Sequence, residues 1–297
     1  MPKLALKIDV ATYRGTRTGV PRLMEVLQRH QVQATFYFTL GKDRTGRRIG
    51  NIFKPGFLSR ASRLKLWKHL GVNTLLYGIL LPAPDIGKKC ADIMRSVRDA
   101  GFEVGIHCFD QNKWRGQAAT ADMHWTQREM QRAIDRFMEI FGIGSKSCAA
   151  PGWQLNRHAM RLIQRLGFNY SSDTRGKYPY LPTWNGEIIA CPQLPTTLPT
   201  LDELINRDSI TEENAASYLL QLTKDAPESG HVFSLSAEME GGLWLPIFEQ
   251  LLEGWKAQGY DIVSMRLYAQ GLPADLPRHE VVMKSVEGAI GLQAVQA

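Results

Sequence analysis

A chain of 297 residues with 44% hydrophobic and 22% charged residues can bury a sizeable core, as one large α/β domain or as two smaller ones. The four cysteines, Cys90, Cys108, Cys148 and Cys191, contain no CxxC pair or zinc-ribbon spacing, and no apolar run is long enough to span a bilayer; an integral membrane protein is excluded and a reduced, cytosolic chain is expected. The net charge of +7 is local: residues 42–69 carry nine basic side chains against Asp43, and the remainder sums to −1, which excludes a globally basic nucleic-acid binder and points to a local anionic partner.

MPKLALKIDV runs straight into a strand pattern rather than a signal peptide. Leu4, Leu6, Ile8 and Val10 fall on one face of this strand, and Asp9 lies at its C-terminal end. Thr18 is the expected N-cap of a helix through Val20, Leu23, Met24 and Leu27, with Pro21 in its first turn. ATFYFTL, residues 34–40, is a second strand, so the order is βαβ and the sheet parallel.

The basic window then interleaves its cations with Ile52, Phe53, Phe57, Leu58, Leu64, Leu66 and Trp67 and is followed by VNTLLYGILLPAP. Two readings stay open: an interfacial element whose Lys and Arg meet lipid phosphates while Phe, Leu and Trp enter the acyl boundary, or an amphipathic helix with a solvated face. A helix is predicted from Asp85 or Gly87 to Ala100, leading into a strand, EVGIH, that ends on His107. Further helices are expected over 126–141, 156–166 with Asn156 as cap, 211–223 and 244–257. Short strands are expected over 146–150, 168–172, 187–191, 232–236 and 260–263, and from Gly271 the tail reads as irregular. About seven β/α units without an internal repeat imply a (β/α) barrel, complete or distorted.

In such a barrel the strand ends bring together Asp9, His107, Asp110, Trp153, Asp173, Arg175, Ser236, Glu238 and Glu240. Each has an ordinary reading: Asp110 as a turn residue, Asp173 with Arg175 as a structural ion pair, the glutamates as solvated groups. Their coincidence at one end of a barrel favours a site.

KIDVATYRGTRTGVPRL, GIHCFDQNKW, APGWQ, SSDTRG, LPTTLPTLDEL and LSAEMEG occur in the order and spacing of the polysaccharide deacetylase family (NodB homology, carbohydrate esterase family 4). Over roughly residues 3–270 the chain most resembles the branch that deformylates or deacetylates amino sugars carried on undecaprenyl phosphate in lipid A modification. The resemblance implies a distorted (β/α) barrel, a membrane-facing insertion at 42–84, and a peripheral place on the cytoplasmic face of the inner membrane. It also implies a divalent metal, zinc or similar, held by an aspartate and two histidines, that activates water and polarises the amide carbonyl. Position by position, the general base corresponds to Asp9, the first metal histidine to His107, and the pair that orients the base to Asp173 and Arg175, while Trp153, Ser236, Glu238 and Asp110 fall among the substrate-facing positions.

The departures fall on the chemistry. The metal aspartate expected two residues after the base is Ala11, the second metal histidine is Gln111, and the histidine of the last motif is Ser236. Asp9, Asp110 and Glu238 are the carboxylates available for a substitute ligand set with His107. Two readings follow: a metal-dependent amide hydrolase with an altered site, or a non-catalytic relative that binds a lipid-linked sugar or pairs with an active enzyme. Nucleic-acid binding through residues 42–69 is disfavoured, because no RNA or DNA motif accompanies these cations and they sit beside apolar sequence.

Overall fold

The computed structural model describes residues 1–47, 66–205, 207, 209–289 and 291–297. Period-two alternation in β1 (Lys3–Val10) organises it. Leu4, Leu6, Ile8 and Val10 pack outward into the main core, whereas Ala5 faces an inner cluster with Tyr37, Ala149, Tyr170, Leu194, Val232 and Val263. Lys7 and Asp9 continue that inward face toward the C-terminal end.

Seven parallel strands form a curled sheet: β1, β2 (Thr35–Thr39), β3 (Glu103–Cys108), β4 (Ser147–Cys148), β5 (Tyr170–Ser171), β8 (His231–Ser236) and β9 (Asp261–Ser264). Their order is β5-β4-β3-β2-β1-β8, and β9 pairs with the first half of β1, where β2 has not yet begun. The end strands β5 and β8 are joined by the irregular segment 192–197. On one side Ser171 N–H donates to Pro192 O (2.9 Å) and Leu194 N–H to Ser171 O (2.8 Å); on the other, Thr197 N–H donates to Val232 O (3.1 Å) and Val232 N–H to Thr197 Oγ1 (3.0 Å). The result is the distorted (β/α) barrel that the sequence predicts.

Helices cover its outer face, among them α1 (Val20–Arg29), α2 (Ala91–Asp99), α3 (Gln111–Gln117), α4 (Met123–Phe141), α5 (Arg157–Arg165), α6 (Ala215–Leu222) and α7 (Leu245–Ala257). Most bury an apolar stripe, as with Leu23 and Leu27 in α1 and Phe248 and Trp255 in α7. Asn156 caps α5 as expected, its side chain accepting the Ala159 N–H at 2.8 Å.

Three expectations are corrected. Thr18 caps nothing: residues Gly15–Gly19 form a π-helical turn continuous with α1, closed by Val20 N–H on Gly15 O, and the Thr18 hydroxyl donates to Arg14 O at 2.8 Å. The helix expected from 85 to 100 breaks at Cys90, with Asp85 capping only the short turn Ile86–Lys89. The tail is not irregular: β10 (Arg278–Ser285) and β11 (Leu292–Gln296) form a hairpin that joins β6 (Leu181–Trp184) and β7 (Glu187–Ile188) in a second sheet of order β11-β10-β6-β7. β10 is mostly polar, and its partner β6 lies about a hundred residues upstream, so no local periodicity announces it.

Residues 48–65 of the expected insertion at 42–84 lie outside the described residues, including Arg48, Lys54, Arg60, Arg63 and Lys65 with Ile52, Phe53, Phe57, Leu58 and Leu64. The described part forms two short helices, Leu66–Leu70 and Val72–Leu76. His69 packs edge-on against Trp244 (centroids 4.8 Å apart), which seats this part near the C-terminal end of β8. Among the described residues no helix is long and apolar enough to cross a membrane.

Gly105 makes the barrel interior possible, since a Cβ there would stand 2.5 Å from Cε1 of the fully buried Tyr37 on the paired strand. Gly105→Ala is therefore expected to cost about 1–3 kcal/mol by overpacking, read as a lower denaturant midpoint at unchanged slope.

Candidate active site at the barrel mouth

Asp9, His107 and Ser236 come together because each stands at or next to the end of a strand neighbouring β1 or β2. Asp9 Oδ1 lies 3.7 Å from His107 Nδ1, and neither atom has a hydrogen-bond partner among the described residues. Asp9 Oδ2 accepts from Ser234 Oγ at 3.3 Å. Burial lowers the His107 pKa to about 4, outweighing the nearby Asp9 carboxylate, so the imidazole is neutral at physiological pH.

Asp173 is buried opposite. Its Oδ1 accepts the Ala150 N–H at 2.7 Å and its Oδ2 the Gln193 amide at 3.3 Å, while burial raises its pKa. Arg175 does not pair with it: the guanidinium donates to Glu203 Oε2 at 2.8 Å, and both side chains are buried. The reading of Asp173 with Arg175 as an ion pair is thus corrected. Glu203 was the stronger partner because it is already held in a capping box with Thr200 at the start of the helix Leu201–Leu204.

Trp153 forms the wall between two cations. Its ring lies 5.2 Å from Lys7 Nζ and 4.6 Å from Arg175 Cζ. Its backbone adopts φ +52°, behind Gly152 at +63°, a conformation sparsely populated by bulky residues and typical of sites where the surrounding structure enforces it.

Three other acids hold the rim together. Glu238 Oε1 accepts from Ala11 N–H (3.0 Å), Thr12 N–H (2.8 Å) and Thr12 Oγ1 (2.8 Å). Glu240 Oε2 accepts from Ser236 N–H (2.8 Å) and Ser236 Oγ (3.3 Å). Asp110 caps α3, accepting from Asn112 and Lys113 N–H at 3.1 Å each, and pairs with Arg44. Glu238, Glu240 and Asp110 are all buried, so the reading of the two glutamates as solvated groups is also corrected.

Reasoning from sequence singled out none of Lys7, Gln193 or Glu203. Two signals were available: Lys7 falls on the same strand face as Asp9, and Thr200-Leu-Asp-Glu203 has the spacing of a capping box. Gln193 sits in the irregular closing segment and carries no such signal.

Fold and mouth together define a barrel of the carbohydrate deacylase class. The chain belongs to the polysaccharide deacetylase family, whose profile, described as Polysaccharide deacetylase, matches residues 2–171. Two curated relatives are named probable 4-deoxy-4-formamido-L-arabinose-phosphoundecaprenol deformylase ArnD. That of Shewanella sediminis is 35% identical over 295 residues, covering 99% of this chain and 95% of the relative. That of Wigglesworthia glossinidia brevipalpis is 29% identical over 284 residues, covering 95% and 98%. Among solved structures, the chitin deacetylase of Colletotrichum lindemuthianum superposes with a TM-score of 0.55 at 16% identity, covering 93% of this chain and 91% of that one, and speaks for the fold.

Deacetylases of this family are generally metal-dependent, but the donors present here do not fit a divalent ion. Ala11 offers no donor, Gln111 only a neutral amide at the first turn of α3, and the Ser236 hydroxyl is engaged with Glu240. Glu238 and Asp110, the carboxylates available for a substitute set, are spent on backbone N–H groups and Arg44. That leaves Asp9 and His107, and among the described residues no group of three or more His, Cys, Asp or Glu is placed to hold a metal.

The buried acids and histidines set opposing pH dependences. Burial raises Glu238 from 4.5 to about 7 and Glu240 to about 8, so each binds its proton more tightly folded than unfolded, and the stability this gives is lost as pH rises through that range. Burial lowers His107 and His231 from 6.5 to about 4, so their contribution is complete above 6.5 and lost as pH falls toward 4. Stability is therefore expected to decline between pH 6.5 and 8, where these glutamates still titrate and the contribution of the two histidines is constant. Chemical denaturation should show Glu240→Gln flattening that decline while shifting stability by no more than about 1 kcal/mol near pH ~5.

Proposed function

We propose that this chain binds an undecaprenyl-phosphate-linked amino sugar at the barrel mouth and does not carry out metal-dependent hydrolysis of its N-acyl amide. The observation that carries this reading is that Ala11, Gln111 and Ser236 stand where the family resemblance implies donors, while among the described residues no group of three or more His, Cys, Asp or Glu is placed to hold a metal. The names of the relatives support the ligand class. Asp9, Asp173 and Arg175 are the residues we place at its polar end, with Trp153, Ser236, Glu238 and Asp110 shaping the walls.

A peripheral seat on the cytoplasmic face of an anionic membrane belongs to the same reading. Trp67 (57% exposed), Val72 (63%) and Leu80 (75%) stand out from the segment that packs on Trp244, beside the exposed cations Lys68, Arg14 and Arg17. Such a mixture suits acyl chains below phosphate headgroups better than a nucleic-acid backbone. Vesicles containing anionic lipid should bind the chain, with no comparable affinity for oligonucleotides.

The second reading, an active hydrolase with an altered site, draws on the unpartnered Asp9 and His107 atoms 3.7 Å apart. One experiment separates the two: elemental analysis and release of formate or acetate, for the chain as it stands and for the triple variant Ala11→Asp, Gln111→His, Ser236→His. We expect no stoichiometric metal and no release from the first, and both from the second. Stoichiometric divalent metal with turnover in the unaltered chain would overturn the binding-only reading.

A further inference from the structure

The family resemblance assigns the support of Asp9 to Asp173 together with Arg175, yet the Arg175 guanidinium is turned to Glu203 at 2.8 Å. Another cation shares the strand face of Asp9 and reaches the residue before Asp173. Lys7 precedes Asp9 by one inward step of β1, is fully buried, and pairs in register with Ser234, whose hydroxyl contacts Asp9 Oδ2. Its Nζ crosses the barrel to donate to Ser172 O at 2.9 Å, the carbonyl immediately before Asp173.

We propose that Lys7 is the positioning residue of this site, a single buried ammonium that compensates Asp9 and Asp173 together and holds them across the barrel.

An ammonium carries three donors and Ser172 accounts for one. An uncompensated ammonium in a barrel interior costs several kcal/mol. Burial lowers the Lys7 pKa, and the two largest influences opposing it are the charges of Asp9 and Asp173, ahead of any other acid in the chain. The Trp153 face, 5.2 Å from Nζ, shields the ammonium from water on another side. The arrangement supplies a positive charge beneath Asp9 that does not depend on a metal, and Asp9 can serve as an acceptor for hydroxyl or N–H groups of a bound sugar. That consequence rests on the proposed function; the positioning role does not.

The test is a double-mutant cycle on the full chain, followed by denaturant unfolding and requiring no ligand. Lys7→Met leaves the buried Asp173 and the half-buried Asp9 carboxylates without their counter-charge and should raise the unfolding equilibrium constant by about a hundredfold or more. Adding Asp9→Asn, or Asp173→Asn, to Lys7→Met should recover at least about tenfold of that loss, because a neutral amide no longer needs the ammonium. Lys7→Arg keeps the charge and should retain the coupling to Asp9, even where its bulk lowers overall stability. If Lys7→Met alone does not fold, folding of the Lys7→Met/Asp9→Asn chain is the supporting result. Simple additivity of the two substitutions, equal failure of single and double variants, or loss of coupling in Lys7→Arg would show that Lys7 only fills space and donates to Ser172. Such a failure would leave the ligand-binding reading standing, since that is judged by metal content and acyl release.

Discussion

The constraint on which this structure depends is the burial of charge inside a barrel. A strand that alternates leucine and isoleucine outward must place its intervening residues in the interior, and in β1 these are Ala5, Lys7 and Asp9. Ionised groups are tolerated in such a place only where opposite charges and hydrogen bonds surround them. The interior meets that condition level by level. At the base, Glu103 accepts from Thr35 Oγ1 (2.5 Å), Tyr170 OH (2.6 Å) and Arg266 N–H (2.8 Å). Above it Lys7 reaches Ser172, and at the mouth Asp9 and Asp173 face the same ammonium. What reaches solvent at the mouth is the end of an internal electrostatic column.

The outward half of this architecture was legible in the sequence. Apolar alternation in residues 4–10 and the 3.6-residue stripes of the major helices announce themselves locally, so the parallel barrel and the gathering of Asp9, His107, Asp173 and Ser236 at strand ends followed from pattern alone. The inward half was harder, because a lysine on a strand is ordinarily solvated and nothing in its neighbours says that both faces are covered. β10 and β11 were missed for a related reason. Their stability comes from pairing with β6 and with the loop after β5, where Arg175 N–H donates to Ala294 O and Gln296 N–H to Arg175 O, both at 2.8 Å. Such contacts are long in sequence and leave no periodic trace.

The pairing of Arg175 with Glu203 rather than Asp173 illustrates how proximity in sequence misleads. Residues two apart on a regular strand share a face, but a bend at Thr174 separates Asp173 from Arg175, and Asp173 was already satisfied by Ala150 N–H and Gln193. Glu203, fixed by its capping box, offered a preorganised carboxylate at no further cost in side-chain freedom. The helix cap therefore decides which way the guanidinium turns, and with it the identity of the cation left to serve Asp9.

The same logic explains how the chemistry at positions 11, 111 and 236 can change while the mouth keeps its shape. The backbone of Ala11 is held by Glu238 through its N–H at 3.0 Å, whatever side chain stands there. Gln111 opens a helix whose start is set by Asp110, with both next N–H groups bonded to that carboxylate. The Ser236 N–H is held by Glu240 at 2.8 Å. Each position that lacks a family donor thus rests on a main chain fixed by a neighbouring acid. The scaffold and the reactive side chains are energetically separable at these three points, so losing a ligand removes no contact that the fold requires. By contrast, Lys7 and Asp173 are bound into the interior column, where a change of charge would be felt by the barrel itself.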